Sequence, residues 1–221
     1  MSLDALLAAW QNHRPGGQGP HERVLLWQND SCLVAIDDAM GPMVPYPAVI
    51  HENGEMNHGY RSLKGDAAAI EQVPELKRFP EFAGFIGAIN HADSPIESVG
   101  CENGFFDAEG QDVAKKMIGS YVDVVFSDVE RNASPENFLH LAAWLLTPVE
   151  GCVAWWGGVE FLLQRLRGLG GIGEPWGLMI RIQNHGRDED EARRWWGETL
   201  ARLTDAISRL PRNFPDSPIA P

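Results

Sequence analysis

The chain of 221 residues carries 31 acidic and 18 basic side chains, a net charge of −13, with 44% hydrophobic and 22% charged residues. That balance excludes bulk disorder and, with eight Trp and nine Phe, supplies a sizeable core. It also sets the surface against nucleic-acid phosphates and anionic lipid. The excess is uneven: residues 1–164 hold a net −14 and residues 165–221 a net +1.

Ser2 caps a first helix whose Leu3, Leu6, Leu7 and Trp10 share one face. The N-terminus lacks the basic segment of a secretory signal, and no apolar run approaches the ~20 residues that span a bilayer. Residues 15–22 form a Pro- and Gly-rich loop. Arg23–Trp27 and Cys32–Ile36 read as strands around a short turn, followed by an irregular segment with Pro42, Pro45 and Pro47. Asn53-Gly54 suits a type I′ hairpin turn after Val49-Ile50, and Asn103-Gly104 suits a second one between Ile96–Cys101 and Gly104–Phe106.

Asp66 caps a short helix, and Pro80 opens another with Phe82, Phe85, Ile86 and Ile89 inward. Ile118–Phe126 is the strongest strand; Asp123 interrupts it and is expected to face solvent or a partner. Ser134-Pro135 starts a helix that buries Phe138, Leu141, Ala142 and Leu145. Val153–Trp156 reads as a strand, Val159–Leu166 as a short helix, and Trp176–Gln183 as a strand. Asp188 starts the longest helix, a scaffold with Trp195 and Leu203 in its core and Glu189–Arg193 and Asp190–Arg194 pairs on its surface. A Pro-rich tail covers residues 211–221. The expected fold is a single α+β domain over residues 1–221, with a mixed or antiparallel sheet and helices packed on it.

Gly168 to Gly173 has the spacing GxGxxG. A dinucleotide site needs it between a strand and a helix, and here a strand follows, so it reads as a connection. His51, Glu52, Glu55 and His58 surround one hairpin, and His91, Asp93, Cys101 and Glu102 lie near the other. If these converge they offer metal ligands or a Cys101–His91 pair oriented by Asp93. Their spacing matches no compact metal motif, and polar turns carry such residues anyway. The three cysteines, Cys32, Cys101 and Cys152, imply no disulfide framework and favour the cytoplasm. No cofactor or metal is expected.

Asp107, Glu109, Asp112, Asp123, Asp128 and Glu130 make an acidic stretch beside Phe105 and Phe106. Its plain reading is a solvated face; its sharper reading is a docking surface, with Asp107, Glu109, Asp112, Asp123 and Asp128 steering and the two Phe anchoring. Met40, Met43 and Tyr46 add apolar loop residues. The expectation is a non-enzymatic, cytoplasmic binding protein that sequesters a basic protein, a toxin or effector. Bacterial immunity proteins are of this physical type. The alternatives are a small metal-assisted or Cys-dependent hydrolase built on His51, His58, His91, Asp93 and Cys101, and a subunit of a larger assembly.

Overall fold

A computed structural model describes residues 1–12, 23–37, 39, 41–50, 56–108, 114–151, 157–169 and 174–215. Helices α1 (Leu3–Asn12), α2 (Ala67–Glu71), α3 (Pro80–Ile89), α4 (Pro135–Leu146) and α5 (Glu189–Ser208) accompany strands β1 (Val24–Gln28), β2 (Cys32–Asp37), β3 (Val49–Ile50), β4 (Met56–Asn57), β5 (Ile96–Asp107), β6 (Lys116–Phe126), β7 (Gly157–Arg165) and β8 (Trp176–Gly186). Six strands form one mixed sheet in the order β1-β2-β7-β8-β6-β5, parallel only at β2–β7; β3 and β4 pair separately. The α+β architecture is the expected one. Among the described residues no helix is long and apolar enough to cross a membrane.

Registration sorts the side chains. Trp27, Val34, Phe161, Ile180, Val122 and Cys101 form one row across the six strands. Paired residues share a face of a sheet, and this row meets the helices. Leu6 of α1 is fully buried, and Trp10 packs edge-on against Trp176 with centroids 6.1 Å apart, so the first helix docks on the body. Trp196 of α5 is fully buried between Phe79 and Phe82, and its Nε1 donates to Ser120 Oγ at 2.9 Å. Gly186 brings β8 into α5: a Cβ there would sit 2.3 Å from the Ala192 nitrogen.

Several local expectations are corrected. Asn103-Gly104 is no turn: β5 runs through it, pairing residue for residue with β6 as Asn103 with Ser120 and Gly104 with Gly119. Neither residue has the positive φ that a type I′ turn requires. The Asn103 Nδ2 instead donates to the Glu75 carbonyl at 3.1 Å, and the chain reverses between Asp107 and Lys116.

Residues 159–165 belong to strand β7, not a helix. Val159, Phe161 and Leu163 enter the helix-side core while Leu162 is buried on the other face. A central strand covered on both sides loses its alternation and mimics helical spacing.

On α5 it is Trp196 that enters the core; Trp195 is half-buried with the Arg194 guanidinium 4.6 Å over its ring. The expected surface pairs give way to Arg187–Glu191 at 2.8 Å and Arg193–Glu81 at 2.9 Å, because α3 brings Glu81 closer than any residue of α5's own turn. Ser134 does not accept a capping bond; its hydroxyl donates to Glu136 at 2.5 Å. The expected strand at 153–156, the Asn53-Gly54 turn and Gly170–Gly173 lie outside the described residues. Strand β8, not a helix, follows that glycine run, so the strand-to-helix setting of a dinucleotide site is not formed.

Candidate partner-binding site

The second face of the sheet carries no helix among the described residues. Leu33, Glu160, Arg181, Tyr121 and Glu102 form one row across it; Ala35, Leu162, Met179, Asp123 and Gly100 form the next. The segment 41–47 crosses one end, tied by Val44 N to the Arg167 carbonyl at 2.7 Å and Arg167 N to the Pro42 carbonyl at 3.0 Å. There Val44, Val99, Val125 and Leu166 make a second small core with Tyr46 packed on it. Beyond that cover, Arg181 and Glu102 are exposed on this face.

Asp123 lies under the cover, 3% exposed. The expectation that it faces solvent is therefore corrected. The Tyr46 hydroxyl donates to its Oδ2 at 2.5 Å, and Gln164 Nε2 donates to its Oδ1 at 2.8 Å. Burial pushes the carboxyl up to about 6, and the two hydrogen bonds hold it from rising further. Burial beside this carboxylate keeps the Tyr46 hydroxyl protonated. Tyr46 reaches Asp123 only because residue 100 is glycine: a Cβ there would lie 2.6 Å from the Tyr46 Cε2.

A cavity of about 90 Å³ follows the outer edge of β5, lined by Tyr46, His58, Tyr60, Arg61, Val73, Glu75, Ser98, Gly100, Cys101 and Tyr121. His58 Nε2 stands 4.0 Å from Glu75 Oε1. The Cys101 thiol is pushed up to about 12, first by burial and then by the carboxylates of Glu75, Asp123 and Glu102. Tyr121 is raised by burial, then by Glu102 and Asp123. The thiol is thus held protonated, the reverse of what a cysteine nucleophile needs. Iodoacetamide at pH 8 is expected to alkylate Cys101 at least tenfold more slowly in the folded chain than in urea, read by peptide mass spectrometry; equal rates would overturn the assignment.

The expected site residues scatter. His58 and Cys101 share the cavity, but His91 and Asp93 do not line it. Asp93 pairs with Arg212, and its backbone N–H donates to His91 Nδ1 at 3.2 Å. His51, Glu52 and Glu55 are outside the described residues, among which no three His, Cys, Asp or Glu are grouped to hold a metal ion.

Asp107 is exposed and paired with Lys116 at 2.7 Å. Asp128 is exposed and paired with Arg131 at 3.1 Å, past the other end of β6. The length of the β5–β6 ladder, about 30 Å, separates the two. Glu109 and Asp112 are outside the described residues. Phe105 turns inward, its ring 5.7 Å from Phe79, whereas Phe106 is 50% exposed and lies across Gly104 and Gly119 on the open face. One acidic patch therefore does not form from the whole set: Phe106 stands on the open face, whereas Asp107, next to it on β5, turns to the α5 side, where its partner Lys116 lies 3.9 Å from Glu189.

Sequence reasoning missed Gln164, Glu75 and Tyr121, and took Tyr46 as an apolar loop residue of a contact surface rather than as the partner of Asp123. Alternation offered one hint: Tyr121, Asp123 and Val125 share a face, and the apolar Val125 marks that face as covered near Asp123. No protein-family model, curated protein or solved structure matches this chain, so the functional reading rests on its own residues.

Proposed function

We propose that the protein is a non-enzymatic binding protein that captures a basic protein in the cytoplasm, in the manner of an immunity protein that neutralises a toxin. The observation that carries the reading is the face of the sheet that no helix covers among the described residues, where the half-exposed Phe106 stands on the same side as the exposed Glu102, on a chain of net charge −13. An exposed aromatic supplies contact area, and the net negative charge of the chain supplies steering toward a basic surface. Steering by net charge raises the association rate and falls as salt screens it.

The test is capture with the tagged full chain from its source cells at low and high salt, followed by stopped-flow association with the purified partner. The expected result is one basic protein whose association slows at least tenfold between 20 mM and 500 mM salt, and whose complex weakens when Phe106→Ala is introduced. No partner at either salt, or a partner indifferent to both salt and Phe106, overturns the reading.

A further inference from the structure

The cavity along β5 differs from the other concavities in what its carboxylates face. The depression at the α3–β5 connection already holds Arg131 and Arg212, paired with Asp128 and Asp93. The one below β1–β2 holds Arg181, which lies 3.9 Å from Glu160. In the wall of the β5 cavity, Glu75 has no Lys or Arg within ion-pair distance among the described residues, only His58 at 4.0 Å; nor has Glu102, which lies opposite the lining residue Tyr121. Tyr46, Tyr60 and Tyr121 line the same cavity, with Asp123 directly behind Tyr46.

Resting on the reading of the protein as a captor of a basic partner, we propose that this cavity receives one arginine side chain of that partner among its tyrosines, with Glu75 in its wall and Glu102 beside Tyr121 supplying the carboxylates. The volume of about 90 Å³ corresponds to roughly six water positions, enough for the end of one side chain and too little for a nucleotide. Guanidinium suits the lining better than ammonium: it stacks on aromatic rings and bonds carboxylates in its plane, and it sheds water at lower cost. Burial first keeps Cys101 and Tyr121 protonated, and after it Glu102 and Asp123 act on both and Glu75 on Cys101. Arg61, exposed among the lining residues, opposes an incoming cation.

The test titrates N-acetyl-arginine amide into the isotope-labelled full chain and follows backbone amide shifts, with N-acetyl-citrulline amide as the neutral isostere. Saturable shifts at Gly100, Cys101 and Tyr121 are expected with the arginine probe and not with citrulline. Glu75→Gln combined with Glu102→Gln is expected to weaken the probe about fivefold, the loss of two exposed ion pairs. Arg61→Ala is expected to tighten it, which an unfolded variant cannot imitate.

Equal shifts from citrulline, shifts confined to other residues, or affinity unchanged in both variants overturn the assignment. The two proposals fail separately. A salt-sensitive basic partner that binds the double Gln variant as well as wild type removes the arginine site and leaves the captor reading. Probe binding without any partner does the opposite.

Discussion

Trp196→Ala is expected to cost about 3–5 kcal/mol of stability, the range for emptying a buried aromatic position. The side chain is fully buried, flanked by Phe79 at 5.7 Å and Phe82 at 5.8 Å, so its removal leaves a void walled by rings on α3's side and by β6 on the other. It also strips Ser120 Oγ of the Nε1–H donor it holds at 2.9 Å. Against a usual total of about 5–15 kcal/mol, that is a large fraction, and for a chain this long it lowers Tm by roughly 10 °C. Trp195→Ala is the control. Its ring is half-buried under Arg194, so the loss is expected to be less than half as large. Thermal and urea unfolding of the two variants measure the difference; equal losses would mean that α5 presents a different face to the sheet.

Asp123→Asn is expected to change the pH dependence of stability. The folded carboxyl titrates at about 6, against an ordinary value of 3.8. Between about pH 4 and 6 the folded chain holds a proton that the unfolded chain has released. Asp123 therefore favours folding most below pH 4, and that contribution is lost as pH rises through 6. The span corresponds to roughly 3 kcal/mol.

Asparagine removes the buried charge and keeps the geometry. Its Oδ1 accepts from the Tyr46 hydroxyl, and Gln164 turns its amide so that Oε1 accepts from the new Nδ2. The variant is expected to exceed wild type in stability at pH 7 and to converge with it near pH 4. Glu191, held near 2 by Arg187, Glu81, held low by Arg193, and Asp93, held low by Arg212, pull the other way as pH falls. They are common to both chains and cancel in the difference. Parallel curves, with Asp123→Asn less stable throughout, would show that the ionised carboxylate is required.

Much of the framework was legible because each signal was local. Asp66 bonds the Ala69 N–H at 2.9 Å and Asp188 the Glu191 N–H at 2.8 Å, as capping residues do at helix starts. The apolar faces of α1, α3 and α4 follow from spacing alone, as does the strand at Ile118–Phe126. Where local signals compete, they misled. Asn103-Gly104 has the composition of a turn, yet eleven paired residues on β6 hold it extended. The spacing of Val159, Leu162, Leu163 and Leu166 fits a helix, yet β2 and β8 claim both edges of the segment.

The sequence by itself determined the acidic surface, the α+β class and the faces of the helices, because charge and periodicity are properties of the chain at short range. Only the tertiary structure decided which acids act together. Asp123 looked like a solvent-facing charge, and the segment at 41–47, more than seventy residues away in the chain, buries it under Tyr46. Asp107 and Asp128 looked like neighbours in one acidic run, and the β5–β6 ladder holds them at opposite ends. Glu75 attracted no attention in sequence, and Glu102 only as a carboxylate beside Cys101; the turn at Pro74–Leu76 sets Glu75 in the cavity wall, and strand registration sets Glu102 opposite Tyr121. A carboxylate's protonation and reach depend on what the fold stacks over it and beside it, and those neighbours arrive from distant parts of the chain.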